Sequence, residues 1–295
     1  MDKYDLLLKA NVTDDIDRLG KLLEFDRSVG GMKLYRYRPL DCNRLYELEA
    51  LKECKIWGTN PDLFDDEYEL CTSDYSSDDY KFIEYFVMRN ARKHHHYQYQ
   101  DLANLRKLSR SSVVKEAALL YKRKRREYAV SCFTENSPLS DEAMWHQYAH
   151  DHGFCLEYSL ASFIKAQVII DPVYYIEKKS FGEIFRLLGE CERAWLMVCI
   201  KNKYGVDKYS GSDDVINWEL QREWRYLQYN EKEKNGKYKP GLYFRKSIKP
   251  DKVYVKGLDK EWIKKVELAA EANAIPVRIV NPGFARKIYE CIKGY

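Results

Sequence analysis

The chain has no apolar run of eighteen residues, so no segment reads as a membrane-spanning helix. Its opening residues, Met1-Asp2-Lys3-Tyr4-Asp5, are too acidic for a signal peptide, and the expected compartment is the cytoplasm. Excess charge of one sign is also missing. Lys+Arg 50 against Asp+Glu 46 leaves a net +4, which permits a nucleic-acid partner but does not demand one. The 8 cysteines are scattered and form no C-x-x-C pair, which argues against a zinc or disulfide framework and for buried free thiols. Asp62, Asp65, Asp66 and Glu67 lack the spacing and the glycine of an EF-hand, so they read as turn and capping residues. No internal repeat or low-complexity segment stands out, and no glycine or proline occurs between residues 78 and 127.

What is present suits a globular domain. The 295 residues bury a sizeable core, and one-third of them are charged. Residues 13–27 carry a helical stripe (Ile16, Leu19, Leu22, Leu23) behind the cap Thr13, and residues 1–30 read as an N-terminal helical extension. Residues 31–295 read as a single α+β domain, interrupted at 78–127 by a helical insertion. Lys33–Pro39 alternates as a strand, with Leu34, Arg36 and Arg38 on one side and Tyr35 and Tyr37 on the other. Two arginines on one face mark either an edge strand with solvated cations, the simpler reading of the strand alone, or an anion site. Asp41 is the expected cap of a short helix through Leu45, Leu48 and Leu51.

Lys55–Thr59, Ala129–Phe133, Phe154–Tyr158 and Gln167–Tyr175 read as strands, Ser140–Ala149 and residues 180–203 as helices. Asn235-Gly236 signals a hairpin pairing Trp224–Tyr229 with Tyr238–Phe244. Strands at Ile248–Val255 and Pro276–Val280 enclose a helix at 259–273. Two polar clusters remain. His146, His150 and His152 are spaced like metal ligands but lack an H-E-x-x-H context, so hydrogen bonding at a helix end is the better reading and no metal is assigned. Lys122, Arg123, Lys124, Arg125 and Arg126 read as a solvated helix end, and they are also the best candidate for nucleic-acid phosphates or an acidic protein.

The densest stretch is Trp218–Tyr226, with two Trp, two Glu and two Arg in nine residues. From Arg222 onward it alternates as a strand, placing Glu223 and Arg225 on one side and Trp224 and Tyr226 on the other. A carboxylate beside a guanidinium is either an ion pair holding the sheet or the working end of a site.

Several segments together resemble a bacterial and phage family, domain-of-unknown-function family 2971. They are Leu34–Arg38; Phe64-Asp65-Asp66-Glu67-Tyr68-Glu69; Ser131–Thr134; Met144-Trp145, Tyr148-Ala149, His152-Gly153 and Cys155–Tyr158; and Trp218, Glu223, Trp224, Arg225. His152 and Gly153 are one residue closer than in that pattern, and Gln221 stands where the family often has Glu. The resemblance spans about residues 33–257 and implies no activity by itself.

A weaker resemblance does imply one. The layout is similar to the ADP-ribosyltransferase fold, a mixed, largely antiparallel split sheet. That resemblance, which includes the DNA-modifying toxin branch, implies an NAD-dependent enzyme of microbial or phage conflict, cleaving the nicotinamide–ribose bond. Glu223 would stabilise the oxocarbenium-like transition state and Gln221 would orient the nucleophile, as in a Q-x-E element. Arg36 or Arg38 would hold the dinucleotide, with Thr59 and Asn60 in the second strand. Tyr35, Phe64, Trp145, Tyr148, His152 and Arg225 would complete the NAD site. Thr59 lies in Gly-Thr-Asn, a departure from the usual Ser-Thr-Ser. The alternative is a non-catalytic module that binds nucleic acid or protein for a defence or counter-defence system.

Overall fold

A computed structural model describes residues 31–64, several positions of a helix between 77 and 88, and residues 109–176, 198–206 and 215–280. The N-terminal extension, Asp65–Glu69, residues 89–108 of the 78–127 insertion and most of the 180–203 helix lie outside the described residues. The architecture is mixed α+β around a mostly antiparallel sheet of nine strands.

Strand β3 (Tyr128–Thr134) organises that sheet. Strand β10 (Glu223–Tyr229) takes the whole of one flank, from Glu223 opposite Thr134 to Tyr229 opposite Tyr128. Two strands share the other flank. Strand β1 (Lys33–Pro39) meets β3 only at Tyr35 opposite Thr134, and β2 (Trp57–Thr59) only at Thr59 opposite Val130. The sheet therefore forks. One branch runs from β1 through β4 (Gly153–Ser159) and β12 (Lys252–Lys256) to β13 (Val277–Ile279). The other ends with β11 (Gly241–Tyr243) on β2. Strand β5 (Ile169–Pro172) lies outside β10, and only β12–β13 is parallel within this sheet.

Period-two alternation gives the sheet two different faces. Leu34, Phe133, Phe154, Leu156, Tyr158, Trp224 and Tyr226 form one face, which packs the largest core. Helices α1 (Tyr46–Lys52) and α5 (Lys260–Glu271) bury Leu48, Leu51, Val266 and Ala270 against it, and Phe163 of α4 (Leu160–Lys165) joins them. The opposite face carries two separate clusters. Helix α2 (Arg110–Arg125) covers Val130 and Leu227, and α3 (Glu142–Ala149) covers Tyr35, Tyr37 and Cys155 with Met144 and Trp145. Asp141 caps α3 by accepting the Met144 N–H at 3.0 Å, and Asp259 caps α5 through Trp262 N–H at 2.9 Å.

Four sequence expectations change. Helix α1 starts at Tyr46 without a side-chain cap, because Asp41 accepts the Asn43 N–H in a local turn instead. Asn235-Gly236 makes its turn, with Gly236 at φ 79, but the chain beyond it pairs as β11 with β2, not with β10. Ile200–Asn202 is a strand, β7, parallel to β6 (Tyr174–Ile176), not a helix end. Strand β1 is no edge: it lies between β3 and β4, and Arg36 is buried at 7 % exposure.

Gly153 opens β4 where a Cβ would stand 2.1 Å from the Arg38 carbonyl oxygen. That neighbour is backbone and cannot turn aside. Gly153→Ala is expected to destabilise the fold by about 1–3 kcal/mol, read as a lower denaturant midpoint at unchanged m-value.

Candidate functional site

The fork opens a cleft of about 530 Å³. Its floor is Ser131, Cys132 and Phe133, the part of β3 that neither β1 nor β2 covers. Arg36 and Arg38 stand on the β1 wall, Trp57 and Thr59 on the β2 wall, and Gln221, Glu223 and Arg225 on the β10 side. Tyr35, Phe64 and Tyr148 also line it. Asn60, Trp145 and His152 do not. Asn60 accepts the Asp62 N–H and caps the short turn Pro61–Leu63. Trp145 is fully buried, donates to the Pro138 carbonyl at 2.8 Å and packs edge-on against Tyr37. His152 Nδ1 lies 3.0 Å from the His150 carbonyl.

Strand register puts the two arginines and Glu223 on opposite faces of the sheet, since Tyr35, Thr134 and Glu223 form one row. They reach a common cleft only because the sheet is split between them. Arg36 Nη2 donates to the Trp57 carbonyl at 2.9 Å and so ties β1 to β2 across the gap. Burial and the neighbouring Arg38 charge depress its pKa to about 10, which leaves it charged at neutral pH. Arg38 pairs with the buried Glu47 of α1, while among the described residues its buried Nε has no partner. Among the described residues, Ser131 Oγ on the cleft floor is likewise buried and without a partner.

Glu223 and Arg225 are 7 % and 1 % exposed. Arg225 Nε donates to Glu223 Oε1 at 2.7 Å, and its Nη1 donates to the Val198 carbonyl. The second carboxylate oxygen, Oε2, accepts from Lys201 Nζ at 3.2 Å. Burial opposes the Glu223 charge, but Arg225 and Lys201 together outweigh it and hold the carboxyl down at about 2. Burial and the Glu223 charge push the adjacent Cys132 thiol up, so it stays protonated and is no nucleophile at neutral pH.

Gln221 sits on a 3-10 turn, Trp218–Gln221, and Arg222 in the left-handed region at φ 46 joins that turn to β10. Its amide is fixed from α3: Tyr148 OH donates to Oε1 at 3.0 Å, and Nε2 donates to Gln147 Oε1 at 3.0 Å. Lys201, Gln147 and Cys132 were not legible as site residues, and Trp218 also lines the cleft. Lys201 lies on the three-residue strand β7, too short to show a periodicity.

Among the described residues, five lining cations, Arg36, Arg38, Arg44, Lys201 and Arg225, accompany one lining carboxylate, Glu223. Such a cleft favours an anionic ligand, and its rings offer stacking surfaces. Among the described residues no group of three or more His, Cys, Asp or Glu is assembled to hold a metal ion. His146 points away to pair with Asp151 at 2.7 Å. The basic run is no continuous patch: Lys124 and Arg125 are buried, Lys124 pairs with Glu127 and Arg126 with Asp62, and Lys122 and Arg123 are the exposed cations not so paired. Among the described residues no helix is long and apolar enough to cross a membrane.

Compared with protein-family models, curated proteins and solved structures, the chain matches none.

The lowered pKa sets a pH dependence. Stability from ionised Glu223 is fully present above about 4.5 and is lost as pH falls toward about 2. Glu223→Gln leaves Arg225 and Lys201 without their anion and is expected to cost about 3–5 kcal/mol at pH 7. Denaturant titrations of the two proteins should converge as pH drops from 4.5 toward 2.

Proposed function

We propose that the cleft binds NAD and that the chain is an ADP-ribosyltransferase-like enzyme. The observation that supports this reading is the opposition, across the fork, of guanidinium groups on β1 and an ionised carboxylate on β10. Arg38 is the guanidinium for the pyrophosphate, because its side chain stays partly exposed beside its pairing with Glu47, whereas Arg36 is buried and donates to the Trp57 carbonyl. Tyr35, Phe64 and Tyr148 supply rings for the base and nicotinamide.

The C1′–N bond of the nicotinamide riboside breaks, and nicotinamide leaves with the electron pair. Positive charge develops at C1′ and the ring oxygen. Glu223, ionised throughout the physiological range, stabilises that charge electrostatically. The acceptor's lone pair then closes the new bond to C1′, and the acceptor's proton passes to solvent water. Gln221, held by Tyr148 and Gln147, stands beside the carboxylate to orient the acceptor.

One observation favours a second reading, a non-catalytic binding module: both Glu223 oxygens already have partners. Nicotinamide release from NAD separates the two. The enzyme reading expects release that Glu223→Gln lowers on the order of 10²–10³-fold. Ligand binding without release, unchanged in Glu223→Gln, would decide for the binding module.

A further inference from the structure

Lys201 is the least expected member of the cleft. Its ammonium lies 3.2 Å from Glu223 Oε2 and 4.4 Å from the centre of the Trp218 ring. A carboxylate oxygen and an indole face thus converge on one point, the combination that binds organic cations. Arg225 holds the other oxygen of Glu223 independently, so the carboxylate remains paired if the ammonium moves away. Lys201 is carried by β7, which pairs with the three-residue strand β6 and lies outside the nine-stranded sheet.

We infer that Glu223 and Trp218 form a subsite for a planar organic cation, an N-substituted pyridinium, and that Lys201 occupies this subsite in the free protein. The identity of that cation as the nicotinamide end of the substrate rests on the function proposed above; the subsite itself rests on the geometry. In NAD the nicotinamide ring is a pyridinium, and cleavage discharges it to a neutral amide. A subsite selective for the cation binds the substrate ring and releases the product ring. Lys201 then acts as a positioning residue: it keeps Glu223 in place without substrate and yields to the substrate's charge.

Calorimetric titration of the full chain with 1-methylnicotinamide, a pyridinium cation, and with neutral nicotinamide tests this directly. Lys201→Met removes the resident ammonium and keeps the side-chain volume. It is expected to bind 1-methylnicotinamide about tenfold or more tighter than the wild type, with no gain for nicotinamide. Trp218→Leu added to Lys201→Met should abolish the gain. Equal affinity of wild type and Lys201→Met for the cation overturns the proposal, as does an equal gain for the neutral amide, which would indicate only a new hole. Should Lys201→Met not fold, Trp218→Leu in the otherwise unaltered chain decides: weaker binding of 1-methylnicotinamide supports the subsite, and unchanged binding overturns it. None of these readouts needs turnover. A cation gain without nicotinamide release from NAD would overturn the transferase reading alone, and release without a cation gain would overturn the subsite alone.

Discussion

The structure depends on one geometric conflict. Two strands compete for the same flank of β3. Extending the single bridges of β1 and β2 would place both Arg38 and Gly58 opposite Ser131. Paired strands lie about 4.8 Å apart, so only one chain fits there. Each strand keeps one bridge and turns away, and the sheet opens over Ser131–Phe133. The cleft is the consequence of that competition. Arg36, donating to the Trp57 carbonyl, sets how far the branches part, because a charged donor to a carbonyl restores one hydrogen bond across a gap where the ladder has none.

The same opening explains the charge placed there. The face opposite the main core has two apolar clusters, one under α2 and one under α3, and the ionic strip of Glu223, Arg225 and Lys201 lies between them. Replacing a buried ion pair by apolar groups is often neutral or stabilising, so a brace for the sheet would not require these residues. Holding a carboxylate ionised at low dielectric does require them, because burial alone would raise its pKa. The arrangement keeps the carboxylate charged, as the proposed transfer chemistry requires.

Local periodicity was legible in the sequence, and partners were not. The alternation of Arg36 and Arg38 against Tyr35 and Tyr37 could be read, as could that of Glu223 and Arg225 against Trp224 and Tyr226. The fate of the arginines was hidden, because their side is also the side of Leu34 and the core. They are tolerated there only through Glu47 and the Trp57 carbonyl, contacts that the β1 pattern does not contain. The turn at Asn235-Gly236 was legible from two residues, whereas the partner beyond it depended on the open edge of β2. The five consecutive cations of Lys122–Arg126 looked equivalent, yet helix phase and the acids Glu127 and Asp62 divide them. Trp145 entered the candidate site by motif position and belongs to the core under α3, where Tyr37 meets it edge-on.

Strain is distributed around the cleft in a way that bears on its rigidity. Non-glycine residues with positive φ are costly, roughly 1–2 kcal/mol each, and persist where surrounding contacts compensate. Arg222 follows Gln221 directly, and His150 and Asp151 terminate α3 on the facing side. These two strained corners hold the elements that Gln147, Tyr148 and Gln221 fasten side chain to side chain. Thr134 Oγ1 and Asn136 Nδ2 add donors to the carbonyls of Gln221 and Leu220. The turn before β10 is thus fixed by both α3 and the end of β3, so Gln221 cannot move without α3. Electrostatic stabilisation of a developing charge requires groups already in place when the charge appears. The side of the cleft that carries Gln221 and Glu223 meets that requirement through a network of short-range contacts. The opposite side carries Arg38, whose partly exposed side chain faces the cleft.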